Sequence, residues 1–432
     1  MKTQQEILEK LQIESLNPMQ EEAHLAIVNS DNVILLSPTG TGKTLAFLLP
    51  LLKTLDPENE SVQLLILVPS RELAIQIEQV LREMGTGYKA NAVYGGRPFS
   101  KNKIDLAHAP AILIGTPGRV ADHLRRETFS TDFIKTLVLD EFDKSLEVGF
   151  EKEMKEIVGS LPQLEKRVLT SATQDMEVPN FVGLSNEVVI DYLEDGLQNL
   201  RIKKVLASEK NKLNTLVLLL QHIGNEPGII FCNFKDTIQY VSDYLTDNNI
   251  SHGCFYGSME QKDRERALIQ FRNGTHQIII ATDLAARGLD IPELTYIIHY
   301  QLPLHKEEFT HRNGRTARMN AQGTAYVLQW TEEYVPDFIT TKEIVALEPK
   351  NVRLETTWVT LFVSGGRKDK ISKGDIAGLF FKQGGLNKNE LGLIELKQDC
   401  AFVAVPKSKS NLVIKKTNNT RLKKKKVRIS VL

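Results

Sequence analysis

The 432-residue sequence predicts an α/β protein with two parallel-sheet domains in tandem and a small α+β domain after them. Three features carry that prediction. Short, continuous apolar runs alternate with amphipathic segments; the alternation pauses near residue 194 and then begins again; and the charge balance changes sign near residue 366. Apolar runs without polar alternation suit strands buried on both faces, which occur in parallel sheets crossed over by helices.

In the first domain, expected over residues 1–200, the strand candidates are 31–36 (DNVILL), 63–68 (QLLILV), 111–114 (AILI), 135–140 (KTLVLD) and 167–170 (RVLT). RELAIQIEQVLREM, 71–84, is a helix by its apolar spacing. The polar stretch EDGLQNLRIKK, 194–204, reads as a linker. The second domain, expected over 205–345, repeats the pattern: strands IIFCNF (229–234), QIIIAT (277–282), TYIIHY (295–300) and GTAYVLQW (323–330), with helices over KDTIQYVSDYLTD and QKDRERALIQFRNG. The third, expected over 356–432, reads strand (WVTLFVS), helix (KGDIAGLFFKQ), strands (LGLIELK and AFVAVP) and a final VRISVL.

Composition sets bounds. Hydrophobic residues make up 41% and charged residues 25%, as in ordinary globular proteins. No apolar run approaches the ~18–20 residues of a membrane helix, and MKTQQEILEK lacks a signal-peptide core, so a cytoplasmic protein without a membrane partner is expected. Cys232, Cys254 and Cys400 show no metal-type spacing and read as reduced thiols. The net charge is zero, yet residues 366–432 carry 17 Lys and Arg against 5 Asp and Glu. A basic segment on an acidic body points to polyanion binding. KKKK at 423–426 alone would fit a solvated tail.

SPTGTGKT, 37–44, follows the apolar run NVILL and precedes LAFLLPLL, the setting of a phosphate-binding loop, although Ser37 stands where the strict pattern has Gly. In Thr39, Gly40, Thr41 and Gly42 the glycines let backbone N–H groups close around phosphate oxygens; Lys43 reaches the β- and γ-phosphates, and the Thr44 hydroxyl can ligate Mg²⁺. LVLDE, 137–141, ends a strand in two carboxylates. Asp140 is placed to hold Mg²⁺, and Glu141 to orient and deprotonate the attacking water. HRNGRTAR, 311–318, gathers His311, Arg312, Arg315 and Arg318, either to face a phosphate cluster or as a basic surface patch. Lying in the second domain, it completes the nucleotide site only if the two domains close.

Together with VPSRELAIQ (68–76), GG (95–96), TPGR (116–119), SAT (171–173), IIFCNFK (229–235), QKDR (261–264) and ATDLAARGLD (281–290), these motifs resemble, in order, the DEAD-box ATP-dependent RNA helicases. The resemblance implies RecA-like folds for both α/β domains, ATP and Mg²⁺ as cofactors, and RNA as partner. It makes Gln20 of NPMQ the adenine reader, Asp290 a ribose ligand, and Arg315 and Arg318 arginine fingers. Asp143, Ser171, Thr173 and His311 would couple the nucleotide and RNA sites. Arg71, Gly96, Thr116 and Arg119 would line the RNA path in the first domain, and Arg264, Thr282 and Asp283 in the second. Two departures stand out. The family's adenine-stacking aromatic, some 17 residues before Gln20, is Thr3 here, and Phe142 replaces the Ala of the family name. Phe142 is expected in a pocket of small residues, with the Asp143 contact undistorted.

Residues 360–405 resemble the RNA-binding domain of the DbpA subgroup, of RNA-recognition-motif topology, which grips a large-subunit ribosomal RNA hairpin. Phe362 and Phe402 are either base-stacking or core residues, and Cys400 stands where another stacking aromatic is expected. Recognition leans otherwise on Arg367, Lys368, Lys370 and the basic tail. The function implied is a monomeric RNA helicase working on ribosomal RNA and pre-ribosomal particles; the alternative is an ATP-gated RNA clamp with little unwinding.

Overall fold

The computed structural model describes residues 2–38, 40–173, 177–193, 200–283, 294–316, 322–341, 343–348 and 354–432. The described residues fall into two spatial units. The first holds the chain up to Leu200 together with Asn313–Thr316, and the second holds the remainder.

The first unit is built on a seven-stranded sheet, β1 (Asn32–Leu36), β2 (Leu64–Leu67), β3 (Ala90–Val93), β4 (Ile112–Gly115), β5 (Thr136–Leu139), β6 (Lys166–Ser171) and β7 (Val188–Asp191), in the order β3-β4-β2-β5-β6-β1-β7. Every pairing in it is parallel. Both faces are buried, as the unbroken apolar runs require: Val33 and Leu35 of β1 enter one apolar layer, and Ile34 and Leu36 the other. The helix Arg71–Met84 has the predicted bounds, with Ser70 accepting the Leu73 N–H and Gly85 closing the last turn in the left-handed region.

The second unit carries a six-stranded sheet, β8 (Leu200–Ala207), β9 (Gly228–Phe231), β10 (Gly253–Phe255), β11 (Ile278–Ala281), β12 (Tyr296–His299) and β13 (Gly323–Trp330), in the order β10-β11-β9-β12-β13-β8. The linker expectation fails from Leu200 onward, because Leu200–Lys204 opens β8. That strand lies at the sheet edge with its polar residues largely outward, so its composition resembles a loop. Residues 194–199 lie outside the described residues.

The same unit holds an antiparallel sheet of β14 (Trp358–Val363), β15 (Ile394–Leu396), β16 (Ala401–Pro406) and β19 (Ile429–Val431), ordered β15-β16-β14-β19. Helices Lys373–Lys382 and Ser410–Thr417 complete the predicted α+β fold. The sequence KKKK is no free tail. β17 (Arg421–Leu422) and β18 (Lys425–Lys426) form a hairpin across it, with Lys425 paired to Asp369 at 3.0 Å and Lys423 to Asp375 at 3.3 Å.

Strand alternation settles the place of the two phenylalanines. Leu361 and Val363 of β14, and Ala401, Val403 and Val405 of β16, enter the core beneath the helices. Phe362 and Phe402 therefore occupy the opposite face, where they sit directly across from each other, ring centroids 5.8 Å apart. Thr360 shares that face and is fully buried. Its hydroxyl accepts from Asn273 Nδ2 (3.1 Å) and lies 2.7 Å from that of Thr275, while Arg272 approaches Glu395 of β15 at 3.7 Å. The turn after the helix Gln261–Arg272 thus covers part of this sheet face.

Candidate functional site

The phosphate-loop candidate lies between β1 and the helix Lys43–Leu52, held from below by the chain before it. Ser37 donates its N–H to the carbonyl of Ser171 (3.0 Å), and its hydroxyl lies 2.6 Å from that of Thr41. Asn17 Nδ2 donates to Thr41 O (3.0 Å) and Gln20 Nε2 to Gly42 O (3.2 Å), while Gln20 Oε1 accepts the Asn17 N–H (3.0 Å). Gln20 therefore ties its own helix start to the loop. Gly42 has φ +88°, a backbone that favours glycine, and a Cβ there would stand 2.4 Å from Gln20 Nε2 and push that side chain off the loop. Thr39 lies outside the described residues.

Lys43 is buried. Its ammonium donates to the Pro38 carbonyl (2.8 Å) and to that of Ser37, folding back over the loop that would receive a phosphate. Burial pulls its pKa down to about 8, against the opposing fields of Asp140 and Glu141. The carboxylates stand at the C-terminal end of β5. Thr170 on β6 donates its hydroxyl to Asp140 Oδ1 (2.5 Å) and accepts the Glu141 N–H (3.0 Å), so one side chain positions both. Burial pushes the Asp140 carboxyl up to about 6, and Glu141 adds in the same direction. The Thr170 hydrogen bond, Lys43 and Lys144 oppose it.

Glu141 adopts φ +49°, a left-handed backbone that a side chain takes up only under constraint. Burial raises its pKa, but Lys144 and Arg315 outweigh burial and the net direction is down. Glu141 is thus held ionised: it can orient a water strongly and is only a weak base toward it. Its Oε1 pairs with Lys144 at 3.0 Å, while Oε2 is buried without a hydrogen-bond partner among the described residues, an acceptor left for an incoming group. Lys144 is fully buried and was absent from the sequence-derived set. Its signal was the i, i+3 spacing from Glu141, which looks like any surface helix pair until burial is known.

Three of the four predicted coupling residues meet. Thr173 donates its hydroxyl to Asp143 Oδ2 (3.1 Å), and Ser171 Oγ donates to Thr173 O (2.9 Å) and accepts the Thr173 N–H (3.0 Å). His311 is buried in the helix Lys306–Asn313. Phe142 does not distort the Asp143 contact, which Thr173 keeps at 3.1 Å. The ring is fully buried in the apolar layer that contains Leu65, Leu67, Leu139, Met154 and Leu169.

Arg315 is buried and lines one cleft with Gly40, Gly42, Lys43, Thr44, Asp140 and Glu141. Arg318 and Asp290 lie outside the described residues. Arg312 belongs to the second unit. It is bidentate to Asp283 (2.6 Å each) and donates to Asn233 Oδ1 and Gln301 O (2.7 Å each). The same cleft has an aliphatic wall of Leu11, Ile13, Leu73 and Val80. Thr3 caps the helix Gln4–Leu11, accepting the Glu6 N–H (3.3 Å) and donating its own to Glu6 Oε2 (2.7 Å).

The RNA-path candidates of the first unit sit at the C-terminal ends of β2, β3 and β4. Arg71 opens the helix after β2 and lies against Gly96, where a Cβ would stand 2.6 Å from its Nη1. Thr116 precedes the helix Pro117–Arg125, and Arg119 donates to Arg97 O at 3.1 Å. In the second unit Arg264 stacks its guanidinium over Phe255 at 4.6 Å, and Thr282 donates its N–H to Phe255 O (3.3 Å). Asp283 is committed to Arg312. Arg367, Lys368 and Lys370 are exposed on a turn whose N–H groups bond Lys397 O and Gln398 O.

Residues Thr44 and Asp140 supply oxygen donors in one cleft, as a Mg²⁺ ion bound with phosphate requires.

Comparison with known proteins matches residues 17–181 to the family described as DEAD/DEAH box helicase, 211–320 to the helicase conserved C-terminal domain, and 360–431 to the DbpA RNA binding domain. The ATP-dependent RNA helicase DbpA of Escherichia coli K12 is 33% identical over 97% of this chain and 94% of its own. That of Bacillus subtilis 168 is 31% identical over 95% and 94%. Among solved structures, S. cerevisiae Dbp5 bound to RNA and ADP BeF3 superposes with a TM-score of 0.67 at 28% identity, over 76% of this chain and 88% of its own. The DEAD-box helicase Mss116 bound to ssRNA and UDP-BeF gives 0.68 at 26%, over 76% and 72%.

Proposed function

This chain belongs to the DEAD-box RNA helicases of the DbpA group, and on that premise we propose that it remodels large-subunit ribosomal RNA during ribosome assembly. As a member it is an RNA-dependent ATPase with a dedicated RNA-binding domain. The observation that supports a ribosomal target is the third domain, which matches the DbpA type over 360–431 and is itself basic, with 17 Lys and Arg against 5 Asp and Glu over 366–432.

In this reading the loop from Thr39 to Thr44 cradles the phosphates of ATP, Lys43 leaves its carbonyl partners to meet them, and Thr44 and Asp140 would hold a Mg²⁺ ion, which would neutralise their charge. Glu141, kept ionised by Lys144 and Arg315, orients the attacking water. Arg315, with Arg318, stabilises the charge that develops as the bond breaks. The Asp143–Thr173–Ser171 contacts link that event to the RNA side. Arg71, Gly96, Thr116, Arg119, Arg264, Thr282 and Asp283 line the RNA path and read backbone rather than base, so the third domain supplies the address through Arg367, Lys368 and Lys370 by raising the local concentration of the core. The protein works in the cytoplasm as a monomer.

The test is steady-state ATP hydrolysis with no RNA, with random-sequence RNA and with large-subunit ribosomal RNA, for the wild-type chain and for the triple variant R367E/K368E/K370E. Preferential stimulation by ribosomal RNA that the variant loses is the expected result. Equal stimulation by all RNAs removes the ribosomal assignment and leaves a general RNA-dependent ATPase.

A further inference from the structure

Phe234 is 61% exposed, yet its backbone is fixed on both sides. Before it, Asn233 donates its N–H to Gln301 Oε1 (2.8 Å) and its Nδ2 to Leu302 O (3.0 Å), and accepts from Arg312 Nη2 (2.7 Å). After it begins the helix Lys235–Asp247, whose Ile238 N–H bonds the Phe234 carbonyl at 3.2 Å. A single exposed apolar side chain needs no explanation by itself. The surroundings give this one a role.

Phe234 follows β9 by three residues, at the sheet end where β10 and β11 also terminate. There Lys235 lies with its ammonium 5.6 Å from the ring centre of Tyr256, and Arg264 stacks on Phe255, whose carbonyl is bonded by Thr282. Phe255 and Arg264 are themselves buried, so the exposed members of the set are Phe234 and Lys235. An exposed ring beside an exposed cation at the C-terminal ends of parallel strands is the chemistry of a single-stranded nucleic-acid surface, where the cation meets a phosphate and the free ring face meets a base. Lys235 and Arg264 are each engaged with another ring, which leaves Phe234 as the large exposed ring of this set.

We propose that Phe234 stacks on a base of the bound RNA, adding a base contact to a path otherwise built to read backbone. The inference rests on the RNA-helicase reading of the second sheet. Because the backbone is already pinned, ordering costs fall on the ring's rotamer alone, so little of the stacking energy is lost on binding.

The experiment compares wild type with Phe234→Ala and Phe234→Tyr in the full chain. It reads the RNA concentration that half-maximally stimulates ATP hydrolysis, using a single-stranded oligonucleotide and the same backbone carrying abasic sites. Loss of one stack is expected to raise that concentration about tenfold for the alanine variant on intact RNA. It should have little further effect on abasic RNA, and tyrosine should restore wild-type behaviour. An unchanged concentration on intact RNA overturns the proposal and leaves the ring for a protein surface. Equal weakening on intact and abasic RNA overturns it too, as an effect on structure alone. Absence of any RNA response in the wild type would bring down the helicase reading itself, a failure visible before any variant is compared.

Discussion

Replacing Phe142 with alanine tests whether the bulky residue inside the acidic motif is a packing element or part of the chemistry. The ring is fully buried in an apolar layer of the first unit. A buried aromatic covers on the order of 150–250 Å². Truncation to alanine removes roughly 100–120 Å² of that, or about 3 kcal/mol of transfer free energy at ~25 cal/mol per Å². The cavity left behind takes the total to about 3–5 kcal/mol, because strands β5 and β6 cannot collapse into it. Phe142→Leu, closer in volume, should cost under about 1.5 kcal/mol. The chain has more than one cooperative unit, so a single melting temperature would mix them. Native-state amide exchange on β5, β6 and the helix Phe142–Glu147 isolates the affected one. ATP hydrolysis at low temperature should stay within a few-fold of wild type, since the Thr170–Glu141 and Thr173–Asp143 hydrogen bonds do not pass through the ring. Unchanged exchange rates, or loss of hydrolysis in a variant that remains folded, would refute the reasoning.

Four further outcomes are expected. Glu141→Gln keeps the shape and removes the charge that Lys144 and Arg315 hold, so hydrolysis should fall by about 10²–10⁴ while nucleotide binding, read by a fluorescent ATP analogue, persists. Nucleotide affinity should be greatest between about pH 6 and pH 8: below it Asp140, raised to about 6, takes up a proton and stops ligating the cation, and above it Lys43, lowered to about 8, loses the charge that meets phosphate. In the nucleotide-free protein the raised Asp140 makes its own contribution to stability grow as pH falls from about 6 toward 4, since the folded state binds that proton more tightly than the unfolded one. Asp140→Asn should abolish that slope in denaturation profiles. Thr360→Val strips a buried hydroxyl from Asn273 and Thr275 at a cost of about 1–3 kcal/mol, and should speed amide exchange along β14; an unaltered rate there would mean the contact is dispensable.

The sequence by itself determined the fold class and the loci of the chemistry. Apolar runs located β1, β2, β4, β5, β6, β9, β11, β12 and β13 because strands buried on both faces can contain little else, and helical spacing set Arg71–Met84. The phosphate loop and the Asp-Glu pair were legible because each is a short local pattern with its own mechanism. Tertiary structure alone decided which neighbours those residues acquire. Lys144 is a lysine like the others until the fold buries it beside Glu141; the lysines of 423–426 join a hairpin because β17 pairs with β18; and β8 is a strand because β13 pairs with it, despite its loop-like composition. Alternation placed Phe362 and Phe402 on one face, but only the packing of residues 272–275 against Thr360 and Glu395 showed that this face is partly covered. Periodicity is a property of consecutive residues, whereas burial and pairing depend on residues distant in the chain, and no local pattern encodes which distant residue will arrive.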